Sequence, residues 1–244
     1  MDTILSLKDV SISFGGVHAV NHVSFDIGKG ELVGLIGPNG SGKSTTVNLI
    51  SGVYRVDGGE IYFKGKKVPA NMDIAHRSRL GLGRTFQTPK PFGNLTVFDN
   101  VMSIALLKDG FREAAAKTNV VLERTRLASV RDMLSSKLPI ERRKWLDLAR
   151  ILVTGADFIM LDEALAGLNS AEMDESLELV RQINDDGVTI LFIEHIMRAV
   201  VKLCNRVVVL NDGLLLCEGE PSEVLKRPEV IEAYIGGGKF NVVT

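Results

Sequence analysis

The sequence predicts an α/β fold built on a mainly parallel sheet, and three observations predict it. Short apolar runs at residues 32–36, 158–161 and 188–193 have the length and composition of strands buried on both faces. Helical periodicity follows the first two of these runs, at Lys43–Ser51 and at 170–186, the alternation that a parallel sheet with packed helices requires. Residues 97–107, 111–127 and 141–153 are helical in period with few strand signals, so the middle of the chain reads as a helical subdomain.

Taken along the chain, Leu5, Leu7, Val10, Ile12 and Phe14 suggest a first strand of irregular alternation. Val23, Phe25 and Ile27 then alternate strictly with Ser24 and Asp26, which marks a half-buried strand. The run at 32–36 ends in Gly37, and the helix after it carries Val47 and Ile50 inward until Gly52 stops it. Asp57-Gly58-Gly59 is a turn, residues 60–63 a strand, and Gly65 a second turn. Ser170 is the expected cap of the helix at 170–186, Gly187 its stop, and Asn211-Asp212-Gly213 closes a hairpin.

Composition narrows the function. The 244 residues hold 29 Lys+Arg against 30 Asp+Glu, so no overall positive field favours nucleic acid. An apolar share of 45% with 24% charged residues is that of a folded chain with a real core. No apolar run approaches the ~20 residues of a spanning helix, and Met1-Asp2-Thr3 lacks the basic start and apolar stretch of a secretory signal. Cys204 and Cys217 are the only cysteines, which argues against a disulfide scaffold or a zinc site and fits a reducing cytoplasm.

Three motifs carry chemistry. Gly37-Pro38-Asn39-Gly40-Ser41-Gly42-Lys43-Ser44 matches the phosphate-binding pattern G-x-x-x-x-G-K-[ST] and stands between a buried strand and a helix. Its glycines let backbone N–H groups converge on phosphate oxygens, Lys43 reaches the β- and γ-phosphates, and Ser44 is a Mg²⁺ ligand. The strand at 158–161 ends in Asp162 and Glu163. Asp162 is placed to hold Mg²⁺, directly or through its water shell, and Glu163 to polarise a water for attack on the γ-phosphate. His195 follows the strand at 188–193, at the end of a parallel sheet where ligands bind, and its imidazole suits the γ-phosphate and the attacking water.

In this order the motifs resemble those of the ATP-binding cassette (ABC) ATPases, from Leu5 to Gly236. The resemblance implies a P-loop NTPase core with a mainly parallel sheet, an antiparallel β subdomain and a helical subdomain. It implies one cassette over 1–244, with the core at 1–87 and 156–244 and the helical subdomain at 88–155. Phe14 then looks like the aromatic that stacks on adenine, and residues 37–45, through Thr45, like the phosphate loop. Gln87 of Arg84-Thr85-Phe86-Gln87 looks like the glutamine that touches Mg²⁺ and couples the site to a membrane partner. Asp162, Glu163 and His195 look like the magnesium aspartate, the catalytic glutamate and the switch histidine.

Within the family, Arg84–Gln87, residues 95–101, Ala166-Gly167-Leu168-Asn169 and residues 228–236 resemble the ATPases of branched-chain amino-acid importers. Importers of urea, amides and aromatic or dicarboxylic acids look similar. The implied protein is an ATPase using ATP and Mg²⁺, peripheral on the cytoplasmic face of the membrane. Its implied partners are integral permease subunits, a second ABC ATPase in a hetero- or homodimer, and a periplasmic or extracellular solute-binding protein, with no nucleic acid. The groove near Gln87 and residues 92–96 is the expected dock for a short permease helix.

The sequence also departs from the family. Where Leu-Ser-Gly-Gly-Gln is usual, it reads Leu138-Pro139-Ile140-Glu141-Arg142. Pro139 supplies neither hydroxyl nor N–H, and Glu141 is expected to bring a carboxylate towards the partner's γ-phosphate, partly offset by Arg142 and Arg143. Asn169 replaces an aspartate and Ala164 a proline. A chain of this kind binds ATP through its own loop but completes its partner's site poorly, which suits an unlike second ATPase. A nucleotide kinase would usually begin at the phosphate loop and leaves Gln87 and His195 without roles. A cassette acting on DNA or ribosomes would call for insertions, tandem cassettes or a basic face. A low-turnover regulatory subunit stays open because of the altered signature.

Overall fold

The computed structural model describes residues 2–86 and 88–236. They form two units, one of residues 2–77 and 189–236, the other of residues 78–188.

In the first unit, β1 (Thr3–Phe14) and β2 (Val17–Gly28) form an antiparallel hairpin whose Val23, Phe25 and Ile27 are buried, as alternation predicts. The irregularity of β1 has a local cause. Asp9 and His22 both take positive φ, 56° and 52°, and the register shifts between Leu7 and Val10. Two hydroxyls take up the amides this frees: Asp9 N–H donates to Ser24 Oγ at 2.8 Å and His22 N–H to Ser11 Oγ at 2.9 Å. With β4 (Gly58–Phe63) and β5 (Lys66–Val68) the hairpin makes an antiparallel sheet of order β2-β1-β4-β5.

The same unit contains a second, mainly parallel set of strands. β3 (Leu32–Ile36) is buried throughout and runs parallel to β8 (Thr189–Ile193) on one side and β9 (Arg206–Asn211) on the other. β10 (Leu214–Gly219) folds back on β9 through Asp212 and Gly213, both at positive φ, the turn that Asn-Asp-Gly predicts. α1 (Lys43–Ser51) has the predicted ends, with Gly52 as C-cap at φ 85°. α7 (Met197–Leu203), α8 (Pro221–Val224) and α9 (Pro228–Gly236) complete the unit.

The C-terminus of α1 is closed by a side chain that sequence patterning does not reveal. Arg77, in the short helix α2 (Ile74–Arg79), is buried and donates to Leu49 O at 2.5 Å, Ile50 O at 2.8 Å and Met72 O at 3.0 Å. Leu49 O and Ile50 O lie in the last turn of α1, where no amide within the helix can reach them, and Met72 O precedes α2.

In the second unit, β6 (Leu82–Arg84) is parallel to β7 (Phe158–Asp162), whose five residues are all buried. Between them come α3 (Val97–Ala105), α4 (Phe111–Arg124) and α5 (Ile140–Leu152), which pack Val101, Leu122, Leu146 and Ala149 inward. α6 (Ser170–Asp185) follows β7, and its cap corrects the sequence expectation. Asn169, not Ser170, is the N-cap: its side chain accepts from the amides of Ala171 and Glu172, while Glu172 accepts from Asn169 N–H at 2.9 Å. Asparagine and serine cap comparably, and glutamate three residues beyond Asn169 decides the register. Among the described residues no helix is long and apolar enough to cross a membrane.

Replacing Arg77 with Met is expected to lower stability by about 2–3 kcal/mol, because α1 carbonyls lose charge-assisted bonds in a buried setting. Urea unfolding of the two proteins checks this, with Arg77→Lys falling between them.

Candidate functional site

Residues 37–42 link β3 to α1 through a backbone that only glycine supports. Gly37, Gly40 and Gly42 have φ of 150°, 82° and 101°. A Cβ on Gly37 would lie 2.1 Å from Leu210 O, and one on Gly42 2.6 Å from Ala19 O. Lys43 Nζ crosses the loop, donating to Gly37 O at 2.8 Å and Pro38 O at 2.9 Å, with Ser41 Oγ at 3.4 Å. Gly42 as N-cap has no side chain to occupy the first amides of α1, and the first helical turn contains no acid. This arrangement fits a polyphosphate, since amides, helix dipole and ammonium all favour an anion. Ser44 is exposed, its hydroxyl open to a ligand, and Pro38, Asn39 and Thr45 fill out the loop.

Two more predicted residues lie in the first unit. Phe14 is 45% exposed and meets Tyr54 edge to face, ring centroids 5.1 Å apart, so one aromatic supports the other while surface remains for a ligand. His195 lies two residues beyond the end of β8 and is exposed.

The second unit holds the acidic pair. Asp162 closes β7 with its carboxylate 2.9 Å from Arg84 Nη2, both side chains largely buried, and its N–H donates to Thr85 Oγ1 at 3.2 Å. Glu163 stands at φ 49°, a left-handed conformation that costs a non-glycine residue roughly 1–3 kcal/mol. Lys144 of α5 holds that turn open to its own carbonyls: Nζ donates to Glu163 O at 3.2 Å, Ala164 O at 3.0 Å and Ala166 O at 2.6 Å. Beside it is a mainly apolar pocket, lined among others by Phe86, Lys144, Trp145, Glu163 and Val180. Gln87 lies outside the described residues. Among those described, no group of three or more His, Cys, Asp or Glu side chains could hold a metal. Mg²⁺ takes hydroxyl, water and phosphate oxygens besides carboxylates, and Ser44 in the first unit and Asp162 in the second are each a donor of that kind.

The segment expected to dock a permease is organised by a buried amide. Asn100 Oδ1 accepts from Phe92 N–H at 2.8 Å, and its Nδ2 donates to Thr96 O at 2.9 Å and Phe92 O at 3.2 Å. Phe92 is left half exposed, with the Arg150 guanidinium 4.9 Å from its ring centroid.

At the altered signature the structure corrects one expectation. Pro139 is the N-cap of α5, and Glu141 sits in the first turn, but its carboxylate is not turned outward. Glu141 is only 6% exposed, its Oε1 has no hydrogen-bond partner, and Arg142 Nε is 3.9 Å from Oε2. Burial, and next the negative charge of Glu175 and then Glu172 on α6, push its pKa up against the pull of Arg142. The side chain thus does not reach outward from the helix start, contrary to the sequence expectation.

Sequence reasoning missed Lys144, Arg84, Tyr54 and Asn100. Lys144 carries no sequence signal and Arg84 stands out only as part of the Arg84–Gln87 run, whereas the structure sets one against the loop carbonyls and the other against the Asp162 carboxylate. Asn100 had a signal, an amide on the apolar face of a predicted helix.

Comparison with known proteins follows the same lines. Residues 20–166 match the family model described as ABC transporter. The chain is 35% identical over 250 residues to the high-affinity branched-chain amino acid transport ATP-binding protein LivG of Salmonella typhimurium, covering 96% of this chain and 98% of that protein. It is 29% identical over 234 residues to the lipopolysaccharide export system ATP-binding protein LptB of Escherichia coli, covering 95% and 97%. Among solved structures, the ADP conformation of MJ1267, an ATP-binding cassette of an ABC transporter, superposes with a TM-score of 0.88 at 30% identity, covering 97% of this chain and 100% of that one.

Because the folded pKa of Glu141 is raised, the folded protein holds a proton that the unfolded chain releases more readily. The stability this carboxyl contributes is full below the pKa of an unfolded glutamate, about 4.3, and is lost as pH rises through the folded value. Glu141→Gln is expected to be the more alkali-tolerant protein, its melting temperature falling less than that of the wild type as pH rises above the range of an unfolded glutamate, read by calorimetry.

Proposed function

From the premise that the chain belongs to the ABC transporter family, and is an ATPase coupled to transport, we propose that it energises uptake of branched-chain amino acids or a related small polar solute. The glycine loop crossed by Lys43 carries this reading. Lys43 and the amides of residues 37–45 bind the phosphates, and Phe14, backed by Tyr54, takes the adenine face. Glu163 accepts the proton of the attacking water, and His195 orients the γ-phosphate. Ser44, Asp162 and Gln87 would hold Mg²⁺, partly through water, and the ion would supply neutralisation of phosphate charge.

We read residues 1–244 as one cassette, with 1–87 and 156–244 as the core and 88–155 as the helical subdomain. The partners follow from the ATPase role. Separate permeases dock at Gln87 and residues 92–96, a solute-binding protein delivers cargo, and a second ATPase completes the pair on the cytoplasmic face of the membrane. With Glu141 buried, preference for an unlike second ATPase rests chiefly on Pro139, which lacks the hydroxyl of the usual serine, and on the loss of the signature glycines. The solute is the least constrained part, because relatives at similar coverage serve branched-chain amino acids and lipopolysaccharide, and a solute never touches the ATPase. Urea, amides and aromatic or dicarboxylic acids remain alternative cargoes, and a low-turnover regulatory subunit the alternative role.

Lys43→Ala in the full chain is expected to weaken binding of a fluorescent ATP analogue by at least about tenfold, for loss of one cation at the phosphates. Glu163→Gln is expected to bind it normally and to abolish steady-state phosphate release in the complex purified through this chain. Equal release by wild type and Glu163→Gln would make the chain a nucleotide clamp, and the binding protein and permeases that co-purify identify the cargo by ligand screening.

A further inference from the structure

Residues 142–145 step around the first turns of α5 and tie it to four places. Arg142 Nη1 donates to Arg126 O at 2.7 Å, Arg143 Nη2 to Ser136 O at 2.7 Å, and Trp145 Nε1 to Ser176 Oγ on α6 at 3.1 Å. At 100° per residue these side chains cover the whole circumference of the helix, so its N-terminal part can neither roll nor slide alone. The fourth member, Lys144, is the one that reaches the carboxylate turn, with three carbonyls of residues 163, 164 and 166 on one ammonium.

We propose that Lys144 is a positioning residue for Glu163. This rests on the reading of Glu163 as the group that takes the proton from water. Its backbone is held in a left-handed conformation that the side chain disfavours, so the turn needs an outside restraint to keep one geometry. Two turn bonds of its own, Ala166 N–H to Glu163 O and Leu168 N–H to Leu165 O, are both long at 3.2 Å. A half-buried ammonium drawing three carbonyls together is the stronger constraint. It also makes the carboxylate follow α5. The helix that begins at the altered signature is anchored on three sides and carries Glu163 on the fourth, so a partner that shifts α5 resets the carboxylate in the same chain.

Lys144→Met removes the ammonium and keeps the stem that lines the pocket. In the full chain, hydrogen exchange of amides 163–168 is expected to rise at least about tenfold, with amides 43–51 unchanged. In the purified complex kcat is expected to fall roughly 10- to 100-fold with KM and nucleotide affinity within about twofold, the mark of misplaced catalytic geometry. Lys144→Arg, which keeps charge and donors, restores most of the rate, whereas a residue that served only stability would move the melting temperature instead. Unchanged exchange in Lys144→Met overturns the proposal, and so does full activity of Lys144→Met beside an inactive Glu163→Gln. Hydrolysis that survives Glu163→Gln overturns the reading of Glu163 itself, and the role of Lys144 with it.

Discussion

Carbonyl oxygens at places where the backbone leaves regular structure are gathered in this protein by cationic side chains, and the functional loops depend on that one interaction. Lys43 draws together the carbonyls at the start of the phosphate loop, Arg77 those at the end of α1, and Lys144 those of the turn that carries Glu163. Each cation does what a backbone ladder does elsewhere, at places where the chain must leave regular structure to present a ligand group. At the start of the phosphate loop Gly37 and Pro38 turn their carbonyls to the ammonium, so one lysine serves both loop and ligand.

Much of this was legible because local patterns had no tertiary competitor. The ends of α1 are written by Lys43 after the glycines and by Gly52, and the β9–β10 turn by Asp212-Gly213. The strict alternation of Val23, Phe25 and Ile27 survives because one face of β2 is buried. The illegible parts are long-range. β6 is three residues long and gains its identity only from pairing with β7, and α2 matters because its Arg77 finds α1, at a distance no periodicity reports. Asn169 and Ser170 compete as caps within one residue, and the winner is set by where Glu172 falls.

Glu141 shows how far side-chain direction can depart from what a motif suggests. A glutamate in the first turn of a helix is favoured by the dipole, and an alignment register places it where glycine would face a phosphate. On the helix circumference it nevertheless turns towards α6, beside Glu172 and Glu175, where it is short of partners. Its position could be read from sequence, while its direction required the neighbouring helix. The signature is therefore altered less in charge than in hydroxyl and glycine content, and Pro139 is its more consequential departure.

The pairing of Arg84 with Asp162 bears on how the protein lives between turnovers. Two adjacent carboxylates at a strand end would ordinarily call for a divalent ion to relieve their repulsion, and a fold that relied on that ion would loosen whenever nucleotide ran short. Here a guanidinium already balances one of the charges. The strand end keeps its shape from the chain's own residues, and its charge balance does not wait on a cation arriving from outside.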